Sequence, residues 1–143
     1  MVLKREVIER RLAELDEILA QLATYRGMTA DELRSDLGRR WAVERGLIAA
    51  AGTVFDVADH VLAGHFGVHV EGYETSLEEL RDHEVIGEDL HEQIRGLGGL
   101  RNVLIHRYAK IDPTLVGEHL ERAFDVFPRF ASEVLEWMDG LEG

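Results

Sequence analysis

Apolar residues recur at helical spacing along most of the chain, in segments separated by glycines and polar turns. The first segment runs from about Leu3 to Tyr25, and one stripe in it has spacings of four and three residues: Ile8, Leu12, Leu15, Leu19 and Leu22. This stripe predicts an amphipathic helix with one buried face, which Gly27 ends. Thr29 and Glu32 then form a capping-box pattern, which predicts a short helix to about residue 37.

A second long helix is predicted from about Gly38 to Phe66, because this segment is apolar on two sides. One stripe, spaced by seven residues, consists of Trp41, Ile48, Phe55 and Leu62. Another consists of Val43, Leu47, Val54, Val57 and Val61. A helix with two apolar sides needs several neighbours to cover it, so we expect this one at the centre of a bundle.

The second half of the chain contains a turn-rich region, from Gly67 to Thr75, and a short helix that starts at Ser76. From Glu88 onward, apolar residues at positions 90, 94, 97 and 104 predict a third long helix. Glycines at positions 96, 98 and 99 lie inside it, where they predict a kink or the close approach of another backbone.

A last helix is predicted from about Pro113 to Leu141, since Asp112-Pro113 ends the preceding one. Its apolar face includes Phe124, Phe127 and Phe130, which we interpret as core or interface. The sum is an all-α, up-and-down bundle of four long helices plus one or two short helices, in one domain over residues 1–143.

Composition favours a soluble protein of the cytoplasm. Of the 143 residues, 45% are hydrophobic and 31% charged, and there is no cysteine. The N-terminus has no apolar signal-peptide stretch, and no apolar run reaches the roughly 18 residues that span a membrane. The net charge of −12 argues against broad, charge-driven binding of nucleic acid, so RNA would need a local basic site. It also leaves room for a basic partner protein.

The segment with the clearest chemistry is R-N-x-x-x-H-x-Y, which comprises Arg101, Asn102, His106 and Tyr108. Arginine binds phosphate through a planar fork of donors, and histidine exchanges protons near neutral pH. On an ideal helix His106 lies about 140° round from Arg101, so the two do not stack directly. We expect all four side chains on one polar face, anchored by Val103 and Leu104 at the back.

This segment suits RNA cleavage without a metal ion. The reaction needs a base for the 2′-hydroxyl proton, a cation for the phosphate and an acid for the leaving 5′-oxygen. His106 can be base or acid, and Arg101 can bind the phosphate. The motif has one histidine, so it supplies either the base or the acid but not both. A two-fold dimer would supply both by bringing two motifs into one cleft.

Residues 99–112 resemble the motif helix of the HEPN ribonucleases, specifically HepT-like toxins with the motif RxxxxHxY, and residues 37–45 resemble the start of their second helix. The resemblance implies a type VII-like toxin–antitoxin system: a homodimeric endoribonuclease without a cofactor that cleaves mRNA or tRNA. It implies that Arg101, His106 and Asn102 are catalytic. It also implies that a cognate minimal nucleotidyltransferase antitoxin transfers AMP to Tyr108 and silences the toxin.

Two further arginines are candidates for phosphate or RNA contact. Arg107 stands where relatives often have an acidic residue, and it adds positive charge between His106 and Tyr108. Arg95 precedes the glycines of the motif segment. Three arginines near the start of the second helix, Arg39, Arg40 and Arg45, have two interpretations. They form ion pairs with Asp36 and Glu44, which we favour, or they line an RNA channel.

Metal binding is a weaker reading of the chain. His60, His65 and His69 have ligand-like spacing, but Gly64 and Gly67 interrupt the helix that this spacing needs. Glu88 and His91 form one E-x-x-H pair of a di-metal site, and the second pair is missing. We therefore expect no metal site.

Two alternatives to a ribonuclease stay open. One is a non-catalytic HEPN module that docks a nucleotidyltransferase and presents Tyr108 or a small substrate to it; the acidic charge and the single motif histidine favour it. The other is a structural or metal-binding bundle.

Overall fold

A computed structural model describes residues 2–106 and 111–142 of the chain. Its elements are helices α1 (Arg5–Leu22), α2 (Ala30–Ser35), α3 (Leu37–Val61), α4 (Tyr73–Asp82), α5 (Glu88–Ile94), α6 (Leu97–His106) and α7 (Pro113–Glu142). A 3₁₀ turn, Ala23–Tyr25, follows α1, and a π-helical turn, Leu62–Phe66, follows α3. The described residues contain no strand, and the prediction of an all-α bundle is confirmed.

Helix α3 is the centre of the bundle, as its two apolar sides predict. It contacts α1, α2, α4, α6 and α7. Val43, Val54 and Val57 on α3 are completely buried, as is Ile8 on α1. Burial of each such side chain contributes roughly 1.5–3 kcal/mol of hydrophobic stabilisation. Phe127 and Phe130 of α7 join the same core.

Trp41 departs from the predicted apolar stripe, because its side chain is 51% exposed. It lies near the start of α3, where the described helices cover the side that carries Val43 and leave the side of Trp41 open. The heptad spacing identifies a helical stripe, but it does not say how far along the helix the neighbours extend. The stripe predicted from the spacing is therefore covered by neighbouring helices only in part, and Trp41 is its exposed end.

The segment Leu37–Phe66 is long and apolar enough, by length and composition, to cross a membrane. Of its most apolar window, 56% is buried inside the bundle. The core helix of a soluble protein has the same composition, and the position of α3 among the other helices accounts for its hydropathy.

The capping box that the sequence predicts is formed at the start of α2. The backbone N–H of Glu32 donates to Thr29 Oγ1 at 3.1 Å, and the N–H of Thr29 donates to Glu32 Oε1 at 3.3 Å. Asp36 then caps α3, since its carboxylate accepts from the backbone N–H of Arg39 at 3.1 Å. These contacts set the angle at which α2 enters α3.

The predicted third long helix is interrupted between α5 and α6. Arg95 is extended (φ −60°, ψ 145°), and Gly96 has a φ of +92°, a conformation that side chains with a Cβ rarely adopt. The chain therefore turns at this point instead of bending gently. The segment that carries the motif becomes a separate ten-residue helix, α6.

Candidate functional site

Helix α6 presents two of the predicted site residues to solvent. Asn102 and His106 are exposed, whereas Leu104 is 3% exposed and anchors the helix to the core. This arrangement follows from the helical period, which places residues 102 and 106 on the side opposite Leu104. Arg107 and Tyr108 lie outside the described residues.

The side chain of Arg101 leans toward α3 and α4, and the expected polar face is therefore divided. Its Nη1 donates a hydrogen bond to the hydroxyl of Tyr73 at 3.0 Å, and its Cζ lies 5.2 Å from the centre of the Tyr73 ring. Its Nε is buried without a hydrogen-bond partner, beside Gly52 of α3. Of the predicted set, Asn102 and His106 share the exposed side, and Arg101 is half-buried against Tyr73 of α4.

Two residues of α4 that sequence reasoning missed, Tyr73 and Glu74, contact α6 near Arg101. The Tyr73 ring packs against the Phe55 ring of α3, with 4.4 Å between the ring centres. The carboxylate of Glu74 accepts from the backbone N–H of Gly96 at 2.6 Å and of Gly98 at 2.8 Å. These donors are the free N–H groups at the start of α6, where a negative charge is also favoured by the helix dipole.

Gly98 allows α6 to approach α4 closely. A Cβ at this position would lie 2.7 Å from the Cβ of Tyr73 and 3.0 Å from Glu74 Oε2. This is one of the two explanations that the sequence offers for its glycines. A helix start needs acceptors for its free backbone N–H groups, so an acidic residue near the start of α6 could be expected. With 28 acidic residues, the sequence does not say which carboxylate it is.

The arginines near the start of α3 are mostly paired within the bundle. Arg39 lies 3.3 Å from Asp36, and Arg40 lies 3.2 Å from Glu44 in a pair whose side chains are 11% and 5% exposed. In the described part of the chain Arg45 has no ion pair or hydrogen bond. It borders a shallow depression beside the motif helix, with Trp41, Glu44, Ile48 and Leu104. The ion-pair reading thus holds for two of the three arginines.

Arg95, the other predicted RNA contact, is exposed and lies 3.6 Å from Glu92. It stands at the rim of a cavity of about 270 Å³ between the α5–α6 turn and α7, which Leu100, His119 and Arg122 also line. Burial lowers the pKa of His119, and the nearby positive charge of Arg122 lowers it further. A neutral imidazole therefore faces the cavity at neutral pH.

The histidines with ligand-like spacing do not converge on a metal site. Over residues 2–106 and 111–142, no group of three His, Asp or Glu side chains is placed to hold a metal ion. His60 Nε2 accepts from the backbone N–H of Lys4 at 3.3 Å, and His65 packs edge-on against Phe66 and Trp137. His91 is buried, with Nδ1 3.1 Å from Arg81. Each of these contacts accounts for its histidine by packing or hydrogen bonding.

Solved structures with similar folds include proteins of two kinds. The cytosolic protein YutE from Bacillus subtilis matches with a TM-score of 0.78 at 20% identity, over 98% of this chain and 94% of that one. A toxin–antitoxin crystal structure with AMP-PNP matches with a TM-score of 0.83 at 16% identity, over 92% of this chain and 99% of that one. At these identities the likeness shows a shared fold.

Sequence comparison is more specific. The tRNA nuclease HepT of Aphanizomenon flos-aquae (strain 2012/KM1/D3) is 27% identical over 137 residues, which cover 95% of this chain and 92% of the relative. A family model described as Ribonuclease HepT-like matches residues 8–134, from the first buried position of α1 to the last turns of α7. The chain therefore belongs to the HepT-like ribonuclease family.

Proposed function

We propose that this protein is the toxin of a type VII-like HEPN/nucleotidyltransferase toxin–antitoxin pair, and that it acts in the cytoplasm as a metal-independent endoribonuclease. The observation that carries the proposal is the placement of the motif in a chain that the HepT-like family model matches over residues 8–134. His106 is exposed on α6, and Arg101 of the same helix is held by its hydrogen bond to Tyr73. We take tRNA as the preferred substrate class over mRNA, because the related HepT of Aphanizomenon is a tRNA nuclease.

The proposed reaction is an internal phosphoryl transfer. The 2′-oxygen of the RNA attacks the adjacent phosphorus, the bond from phosphorus to the 5′-oxygen breaks, and a 2′,3′-cyclic phosphate results. One His106 takes the proton of the 2′-hydroxyl, and the His106 of a second copy gives a proton to the leaving 5′-oxygen. Arg101 stabilises the negative charge on the phosphate oxygens, and Asn102 orients the phosphate or the histidine.

A homodimer is part of this mechanism, because one motif supplies only one histidine. The exposed position of His106 leaves it free to face a second motif across a two-fold axis. Local positive charge for RNA comes from Arg101 and the exposed Arg95, together with Arg107, within a chain of net charge −12. We expect the rest of the acidic surface to suit contact with a basic antitoxin.

Control of the toxin is proposed to occur at Tyr108, two residues after His106. Transfer of AMP from ATP to its hydroxyl, by a cognate minimal nucleotidyltransferase, places a bulky anionic group beside Arg101 and His106. This group occupies the phosphate site and excludes RNA. A toxin–antitoxin structure among the fold neighbours supports a partner of this kind.

The test combines intact mass with RNA cleavage. The protein is purified after expression alone and with its nucleotidyltransferase, and each form is incubated with total tRNA. We expect one or more AMP units on the co-expressed form, none on a Tyr108→Phe variant, and cleavage by the unmodified form alone. Cleavage by both forms would contradict the proposed control.

The second candidate function is a non-catalytic module that binds the nucleotidyltransferase, and the net charge of −12 favours it. A folded, unmodified dimer that binds the partner but leaves tRNA and mRNA intact would establish this alternative and overturn the ribonuclease proposal.

A further inference from the structure

Two of the three nitrogens of the Arg101 guanidinium, Nε and Nη1, are held against the protein. The Nε edge is buried against α3 near Gly52, with no acceptor within reach. Nη1 donates to the hydroxyl of Tyr73 at 3.0 Å. Nη2 has no hydrogen-bond partner among the described residues and, unlike Nε, is not buried. Nη2 and the second hydrogen of Nη1 therefore have no partner among the described residues, and Nη2 is accessible to solvent.

Tyr73 is itself held from two directions. Its ring lies 4.4 Å from that of Phe55, which is 2% exposed and belongs to the central helix. The next residue, Glu74, is bonded to Gly96 and Gly98 at the start of the motif helix. The Tyr73 hydroxyl thus has a fixed position relative to both α3 and α6. A long arginine side chain that would otherwise sample many rotamers is restrained by this fixed acceptor.

We propose that Tyr73 is a positioning residue of the ribonuclease site, which holds Arg101 so that its two terminal nitrogens bind one phosphate end-on. The inference rests on the proposed function and adds a residue from outside the motif helix. Tyr73 acts through Arg101 and does not touch the reacting atoms. Its contribution is preorganisation, because a restrained guanidinium loses less freedom when it binds the phosphate.

The variant that isolates this role is Tyr73→Phe, which keeps the ring against Phe55 and removes only the hydroxyl acceptor. Loss of this hydrogen bond to a charged donor at a partly exposed site should lower kcat/KM for tRNA cleavage about tenfold. In an Arg101→Ala background the same change should have no further effect, because the group that it positions is already gone. Tyr25→Phe is the matched control, since Tyr25 lies in the 3₁₀ turn after α1.

A second measurement reports the position of Arg101 without any cleavage. In ¹H–¹⁵N NMR spectra the buried Nε–H of Arg101 should exchange slowly with water in the wild type. Exchange should be several-fold faster in Tyr73→Phe and unchanged in Tyr25→Phe. Faster exchange together with about a tenfold loss of kcat/KM supports the inference.

Unchanged exchange in Tyr73→Phe overturns the inference, and so does faster exchange with full cleavage activity. A wild-type protein that cuts no RNA overturns the proposed ribonuclease. In that case the exchange rates still decide whether Tyr73 fixes Arg101. The two failures are therefore distinguishable.

Discussion

The carboxylate of Glu74 accepts the backbone N–H of Gly98 at 2.8 Å, and this bond joins α4 to the second residue of the motif helix. The other oxygen of the same carboxylate accepts the N–H of Gly96 at 2.6 Å. Helix α6 begins after a left-handed glycine, Gly96, and in the described residues the side-chain hydrogen bonds at its start come from Glu74. The position of Arg101 on α6 therefore depends on a residue of α4.

Glu74→Gln tests this dependence. The amide keeps one acceptor but loses the second bond and the negative charge at the start of α6, so the free energy of unfolding should fall by about 1–2 kcal/mol. Urea denaturation measures the loss. Glu71→Gln, at an exposed position in the preceding turn, is the control and should change stability little. Equal stability of the two variants would show that the Glu74 bonds contribute nothing.

Gly98 and Gly99 provide a matched pair of substitutions in the same helix. Gly98→Ala places a Cβ 2.7 Å from that of Tyr73 and should lower the free energy of unfolding by about 1–3 kcal/mol. Gly99→Ala meets nothing within 4 Å and should raise it by about 0.5–1 kcal/mol, because alanine favours the helix. Thermal or urea denaturation decides. If Gly98→Ala is as stable as Gly99→Ala, the close approach of α4 and α6 is not required.

The elements that local patterns define could be read from the sequence. The stripe of α1 and the Thr29–Glu32 capping box depend on residues within one or two turns, and the structure has both. The exposure of Trp41 could not be predicted from the sequence, because it depends on how far along α3 the neighbouring helices extend. The glycine cluster predicted that the third long helix is disturbed near Gly96. It did not predict that the chain turns fully there, because this depends on the positive φ of one residue.

The candidate site shows the same division. Arg101, Asn102 and His106 lie within six consecutive residues, so the sequence alone could group them as candidates. Tyr73 could not be grouped with them, because its link to Arg101 joins positions 28 apart and exists only once α4 packs beside α6. Helix geometry correctly separated Arg101 from His106 by angle, but it did not predict that Arg101 would bind the hydroxyl of Tyr73 on α4.

The Arg40–Glu44 pair provides a stability test close to the motif helix. Both side chains are almost fully buried, so Glu44→Gln removes a charge that compensates Arg40 in a low-dielectric setting. The free energy of unfolding should fall by about 1–3 kcal/mol. Glu14→Gln breaks the exposed Arg11–Glu14 pair, with side chains 45% and 44% exposed, and should cost less than about 0.5 kcal/mol. Comparable losses in the two variants would contradict the importance of burial here.

Stability should fall as the pH falls below neutral, partly because of His119. Burial lowers its pKa in the folded state below the ordinary value of 6.5. The unfolded chain therefore takes up the proton first, and the contribution present above 6.5 is lost as the pH falls through that value toward the folded pKa. His119→Asn should flatten the decline in urea midpoint between about pH 7.5 and 5. An unchanged slope would show that His119 is as free to protonate in the folded protein as in the unfolded chain.

The central claim is that His106 transfers protons in RNA cleavage, and the most direct measurement is tRNA cleavage by purified, unmodified wild type and His106→Ala. His69→Ala, an exposed histidine in the turn after α3, is the matched control. Circular dichroism and urea midpoints establish that all three are equally folded. We expect cleavage by the wild type and His69→Ala, and a loss of about 10²-fold or more in His106→Ala. A folded His106→Ala protein that cuts tRNA at the wild-type rate would contradict the account.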